Sequence, residues 1–193
     1  MDIVVLYSPQ PDEQSESSAA YEYAKRTSHL LSKQHGSRNI GIHRLSVDSL
    51  NSLSDEATPE GSKTSNSTSP SCTFIIVSCS ADGSVNRIVR KILRNLKNQK
   101  QTEDEVPPSS STPQINGNIA IALLGHARCD NSANQMKDTI FNHGRKFHKC
   151  LEVANSSRLN VKDRLEVQVE LEGPDASGGF DEWVNSNDTI PSI

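Results

Sequence analysis

The chain has 193 residues, a formal net charge of -4 and a hydrophobic fraction of 33%. That length allows one domain with a real core, but so low an apolar content implies that roughly 130 to 150 residues pack and the rest form polar inserts. The acidic balance argues against a general nucleic-acid binder, whose footprint is a basic domain. No apolar run nears the roughly 18 residues that cross a bilayer, and the N-terminus MDIVVLYSPQ has no charged leader or cleavage site, so no membrane partner and a cytoplasmic location are expected.

Strand one, at about residues 2–7, contains IVVLY, a continuous apolar run of the kind buried on both faces of a sheet. A helix is predicted over Ser17 to Gln34, with Ala20, Tyr23, Ala24, Leu30 and Leu31 on one face and Gly36 as its stop. NIGIHRL (Asn39 to Leu45) has weaker alternation and suits a sheet edge. Residues 46–71 are dense in Ser, Thr, Asn, Glu and Pro and read as a polar, mobile insert. Strand three covers about Thr73 to Cys79. SVNRIVRKILRNLKNQK then sets Val85, Ile88, Val89, Ile92 and Leu96 on one stripe and Arg87, Arg90, Lys91, Arg94 and Lys97 on the other, an amphipathic helix packed on the sheet.

A second polar insert is expected over residues 99–117, closed by the Asn116-Gly117 turn signal. Strand four spans Asn118 to Leu124. A helix from about Asn134 to Val153 carries Met136, Ile140, Phe147 and Leu151. RLEVQVELEG alternates strictly, with Leu165, Val167, Val169 and Leu171 on one side and Arg164, Glu166, Gln168 and Glu170 on the other, so a half-exposed edge strand is predicted. A short helix around Phe180 to Asn185 ends a single domain of residues 1–186, followed by a tail at 187–193.

Alternation of strands and helices implies an α/β fold, a three-layer sandwich around a five-stranded parallel sheet. Strong burial of strands one, three and four, with weaker strands two and five, fits the order 2-1-3-4-5. That order opens a crevice at the carboxyl ends of strands one and three, where ligands of such sheets collect.

These residues resemble a family. VLYSPQ (Val5 to Gln10) stands where the flavodoxin-like FMN domains of the diflavin reductases, the group that includes methionine synthase reductase, have a strand ending in Leu-Tyr-Gly-Ser-Gln. SCSADGSVNRIVRKIL (Ser78 to Leu93) matches their Thr-Thr-Gly-x-Gly loop and following helix, and ALLGHARCDNSANQ (Ala122 to Gln135) their ring-flanking Gly-Leu-Gly-Asp-Ser loop. FNHGRKFHKCLEV (Phe141 to Val153) is similar to their Phe-Asn-x-x-Gly-Arg-Lys-Leu helix, and FDEWV (Phe180 to Val184) to a terminal Phe-Asp-x-Trp. The last two are scaffold features. The resemblance implies a flavodoxin-like fold and FMN held by Ser8, Gln10, Ser15, Ser17, Ser18, Ser78, Ser80, Gly83, Gly125, His126 and Asn131. It also implies electron transfer by the flavin, with a separate reductase or electron-acceptor protein as partner, since 193 residues leave no room for an FAD or nicotinamide domain.

The flavin contacts themselves depart from that pattern. A phosphate cradle needs successive backbone N–H groups, yet Pro9 and Pro11 have none, while Asp12, Glu13 and Glu16 bring negative charge. One acid about 8 Å from a phosphate dianion costs up to roughly 4 kcal/mol at an effective dielectric near 20. Among the ring-site loops only His126 supplies a ring. The alternative is a flavin-free interaction module that keeps the fold and docks through the polar inserts or through the basic helix at residues 87–100, which would take an acidic partner.

Other chemistry is thinly supported. Cys72, Cys79, Cys129 and Cys150 show no CxxC spacing and read as reduced structural thiols, with a zinc site at His126, Cys129 or His148 as the competing reading. Ser8, Ser78, Ser80, Asp82 and His126 fall at strand ends, but the chain contains no GxSxG elbow, Walker loop, GxGxxG or HExxH.

Overall fold

Apolar β-branched runs without a polar face have to be covered by helices on both sides of a sheet. The computed structural model, which describes residues 3–11, 13, 17–35, 40–51, 72–103, 118–126, 139–154, 164–169 and 178–186, builds that arrangement. Its strands are β1 (Ile3–Ser8), β2 (Ile40–Arg44), β3 (Cys72–Cys79), β4 (Asn118–Gly125) and β5 (Leu165–Gln168). They form one sheet of order β2-β1-β3-β4-β5, and every neighbouring pair is parallel. Every residue of β3 is buried, as is all of β4 after Asn118, while β2 and β5 lie at the edges.

The pleat sorts the core into two sets. Leu6, Ile75, Val77, Ile121 and Leu123 point to one side, where they meet Val89, Ile92 and Leu93 of α3 (Arg87–Glu103) and Phe147 and Leu151 of α4 (Asn142–Ala154). Val5, Phe74, Ile76, Ala122 and Leu124 point to the other, against Ala24 and Leu31 of α1 (Ala19–His35) and Phe180 and Val184 of α5 (Gly178–Asn185). The three-layer sandwich therefore stands as expected. Among the described residues no helix is long and apolar enough to cross a membrane.

Helix α1 starts at a serine cap, where the Tyr21 amide donates to Ser18 Oγ at 3.2 Å. Ala20, Ala24, Thr27 and Leu31 bury its inner face, Tyr23 and Leu30 are half-buried, and the Thr27 hydroxyl donates to Tyr23 O at 2.9 Å. Gly36, the expected stop, lies outside the described residues. Helix α5 is clamped onto α1 by a two-pronged ion pair, Arg26 Nε to Asp181 Oδ1 at 2.7 Å and Arg26 Nη2 to Asp181 Oδ2 at 2.8 Å. Trp183 meets Phe74 edge-on at 5.8 Å between centroids, so the FDEWV segment serves as scaffold.

Several boundaries differ from the sequence reading. Residues 47–51, inside the expected insert, form a short helix, α2 (Val47–Asn51). It exists because two serines cap each other: Ser46 N donates to Ser49 Oγ at 2.7 Å and Ser49 N to Ser46 Oγ at 2.9 Å, while Val47 packs on the core. Helix α3 runs on to Glu103, into the start of the second expected insert. Residues 52–71 and 104–117 lie outside the described set. The regular part of α4 begins at Asn142, after a turn at Phe141, whose ring is buried over the end of β4. A Cβ on Gly125 would sit 2.7 Å from Phe141 Cζ and 2.7 Å from Ile140 Cγ2, so only glycine admits that ring.

Strand β5 also departs from simple alternation, because α4 covers part of its polar side. Gln168 is buried, and Glu166 is gripped by Arg145 of α4 at 2.8 Å and 2.7 Å and by Arg164 at 2.7 Å. Residues 170–173 lie outside the described set. Burial works against ionisation of Glu166, but the hydrogen bonds from Arg145 and Arg164 outweigh it, and its carboxyl sits below its ordinary range.

Two outcomes follow for stability. A carboxyl held low in the folded state contributes stability that is complete above its unfolded pKa and lost as pH falls through its folded pKa. Glu166→Gln should therefore cost about 1–2 kcal/mol near pH 7, and the difference from the parent should shrink as pH drops below the ordinary carboxyl value, read from urea unfolding across pH. Gly125→Ala should displace the Phe141 ring and cost about 1–3 kcal/mol in the same assay.

Candidate functional site

In this sheet the chain leaves β1 toward β2 on one side and returns to β3 on the other, so the connections diverge at the carboxyl ends of β1 and β3. Ser8 and Ser78 end up there. Ser8 is 1% exposed and Ser78 0%, and neither hydroxyl has a hydrogen-bond partner among the described residues. Ser8 pairs in register with Val77, so the pleat turns Ser8 and Ser78 toward opposite faces of the sheet. An unpartnered buried hydroxyl costs about 1–3 kcal/mol, which marks both as groups with donor capacity to spare.

The described residues after β1 hydrogen-bond to one another. Pro9 and Pro11 have no N–H, so Gln10 supplies the one backbone donor of residues 9–11. That donor is engaged by a carboxylate: Gln10 N donates to Glu13 Oε2 at 3.2 Å, and Glu13 N donates back to Gln10 O at 3.3 Å. Asn86 Nδ2 donates to the same Gln10 carbonyl at 3.4 Å. A negatively charged oxygen of the protein itself thus sits on an amide that a phosphate would need. Ser17 is exposed, Ser18 is buried as the α1 cap, and Ser15 lies outside the described residues.

The loop after β3 is a tight turn with a glycine bulge. Gly83 N donates to Ser80 O at 2.7 Å, Ser80 N to Ser84 O at 2.9 Å, and Cys79 bridges Val85 in antiparallel fashion. Gly83 has φ +78°, and a Cβ there would lie 2.2 Å from Thr139 O, so the position needs glycine on two counts. Asp82 Oδ1 accepts from Ser84 N at 2.9 Å, and the Ser84 hydrogen bonds hold this exposed carboxyl below its ordinary range. The amides of Ser80, Gly83 and Ser84 are all used within the loop.

At the end of β4, His126 N continues the ladder to Cys79 O at 3.0 Å. Gly125 is occupied by its packing against Phe141, and Asn131 lies outside the described residues. The fold thus gathers Ser8, Gln10, Ser18, Ser78, Ser80, Gly83, Gly125 and His126 around the ends of β1, β3 and β4 and the start of α1. Tyr7 is buried against Tyr21 with ring centroids 5.1 Å apart.

Two positioning residues escaped the sequence reading. His143 donates from Nδ1 to Gly83 O at 2.8 Å, tying the loop after β3 to the first turn of α4. Nothing in the spacing of residues 60 apart announces that bond. Asn86 caps α3, with Ile88 N donating to its Oδ1 at 3.1 Å, while its amide group reaches the loop after β1. An asparagine immediately before an amphipathic helix is a cap signal, so this one was available.

Thiol chemistry is muted. Cys72, Cys79 and Cys150 form no disulfide among the described residues, and burial pushes the Cys79 thiol up to about 12 against a hydrogen bond from the Gly144 backbone. Cys129 lies outside the described residues, among which no group of His, Cys, Asp and Glu is set to hold a metal ion.

No protein-family model matches the sequence, and no curated protein matches it. Solved structures do match. A cysteine mutant of the flavodoxin from Pseudomonas aeruginosa is 15% identical, with 96% of this chain and 95% of that chain covered, at a TM-score of 0.53. Oxidised flavodoxin 1 from Bacillus cereus is 8% identical, with 100% of this chain and 99% of that chain covered, at a TM-score of 0.54. Likeness at such low identity concerns architecture, and it agrees with the strand order: the fold is flavodoxin-like.

Proposed function

We propose that this chain is a flavodoxin-fold docking module, descended from FMN domains of the diflavin reductase kind, whose crevice has spent its anion-binding groups on itself. The observation that carries this reading is the Gln10 amide held by the Glu13 carboxylate at 3.2 Å. A flavin phosphate is held by converging N–H groups at the start of a helix. Here the two prolines offer none, and the intervening donor carries a carboxylate. Seating a dianion would first require Glu13 to leave, and its charge would still oppose the phosphate from nearby. The loop after β3 adds to the mismatch, since its Ser80, Gly83 and Ser84 amides are engaged internally and Asp82 is held ionised beside them. These residues do not fit FMN as a resident group.

One observation favours a second reading, an FMN electron-transfer module served by a separate reductase. The Ser8 and Ser78 hydroxyls are buried without partners among the described residues where the sheet order diverges, one on each face, and a ligand at the strand ends would relieve the one on its own face.

Titration with FMN, followed by quenching of flavin fluorescence, separates the readings. The docking reading expects a colourless chain that does not saturate below about 100 μM, an affinity weaker than roughly -5.5 kcal/mol. Glu13→Gln, which removes the competing charge, should then tighten FMN or inorganic phosphate by at least about tenfold. Saturation of the parent chain at low micromolar FMN, unchanged by Glu13→Gln, would overturn the docking reading in favour of the second.

A further inference from the structure

We infer that the outward face of α3 is the docking surface of this module and that its partner is an acidic protein surface. The inference rests on the docking reading and names its partner class. Arg87, Arg90, Lys91, Arg94 and Lys97 recur at helical spacing, and all five are exposed, while Val89, Ile92 and Leu93 on the opposite side are buried in the core. At the rise of an α-helix the stripe is about 15 Å long.

Among the described residues the stripe has no ion-pair partner. Arg26, Arg145 and Arg164 each meet a carboxylate at 2.7 Å, whereas the five cations of α3 make no ion pair among the described residues. Helix stability does not explain them either. The first turn of α3 holds no acid, and Arg87 stands there at the positive end of the helix dipole. Each cation also has a like charge three or four residues away, a spacing that destabilises an isolated helix. A face that opposes its own helix, in a chain of net charge -4, is complementary to an external acid.

Its location gives the contact a consequence. Asn86 caps α3 and donates to Gln10 O, so the stripe begins beside the loop after β1 and a partner seated on it lies against the crevice. A protein fits this face better than other polyanions. The stripe is one helix row in an acidic chain, and among the described residues of α3 it has no ring on which bases stack and Asn95 as its uncharged exposed neighbour. Membrane surfaces select helices with a large exposed apolar face, whereas the apolar face of α3 is packed on the sheet.

The test uses the full chain labelled with nitrogen-15 and a synthetic eight-residue Glu/Asp peptide as probe, read by amide shift changes at low and high salt. Shifts confined to α3 and the loop after β1 are expected, with affinity falling by about tenfold or more between 50 and 300 mM salt. The combined change Arg90→Glu, Arg94→Glu and Lys97→Glu should abolish the shifts with the thermal midpoint preserved, and Arg90→Lys with Arg94→Lys should retain them. Shifts scattered over the surface, binding that survives charge reversal, or tighter capture of an RNA duplex or a phosphatidylserine vesicle than of the peptide would overturn the proposal. A salt-sensitive dimer seen by sedimentation and dissolved by the reversal would also overturn it, since the occupant would then be a second copy. Failure here with no FMN binding leaves the docking reading standing without this surface, whereas FMN saturation with shifts on α3 leaves the surface standing without that reading.

Discussion

The parallel pairing of β1, β3 and β4 constrains everything else in this molecule. Three strands buried on both faces can be joined only by crossovers that carry helices, and those helices must lie on both sides because both sides are apolar. Parallel pairing also brings every strand to its carboxyl end along one edge of the sheet. Ser8, Ser78 and Gly125 therefore share a neighbourhood although more than a hundred residues separate the first from the last. The site is a product of the sheet before it is a product of any loop.

The same constraint reaches the loops through the helices. Arg145 of α4 grips Glu166 of β5, and Gly144 allows α4 to approach the sheet so closely that an added Cβ would lie 2.8 Å from the Leu123 methyls. Once α4 is seated, His143 in its first turn meets the Gly83 carbonyl and Thr139 O presses on the same glycine. The turn after β3 thus takes its shape from a docked helix. Its closure belongs to the core packing, and its Ser80, Gly83 and Ser84 amides donate to Ser84, Ser80 and Asp82 within the loop.

Much of this was legible because burial leaves a strong mark on sequence. Unbroken runs such as FIIV and IAIALL define central strands, and the stripe of Val89, Ile92 and Leu96 defines an inward helix face. What escaped was encoded by single hydrogen bonds. Helix α2 depends on Ser46 and Ser49 capping each other, a signal lost among many serines. Alternation in β5 gave the two faces of the strand but not that α4 would cover the polar one, so Glu166 and Gln168 read as solvent-facing. At the crevice, the acids after β1 were legible as repulsion toward a phosphate. That one of them takes the Gln10 amide is a matter of loop geometry that residue spacing does not specify.

That distinction between repulsion and occupancy bears on what each loop donor costs the fold. A loop built to hold an anion carries converging donors that need water or a ligand, at about 1–3 kcal/mol for each one left buried and unmet. Here Gln10, Ser80, Gly83 and Ser84 have found partners inside the chain, and the cost remains at Ser8 and Ser78. Among the described residues, the loop donors at this edge of the sheet are thus largely met from inside the chain. A row of cations without an ion pair among the described residues then lies on α3, spaced like a core stripe but facing water. Arg26, Arg145 and Arg164 are already tied to carboxylates, whereas a row of five exposed cations without an ion pair among the described residues can meet an outside partner without displacing an acid of the chain.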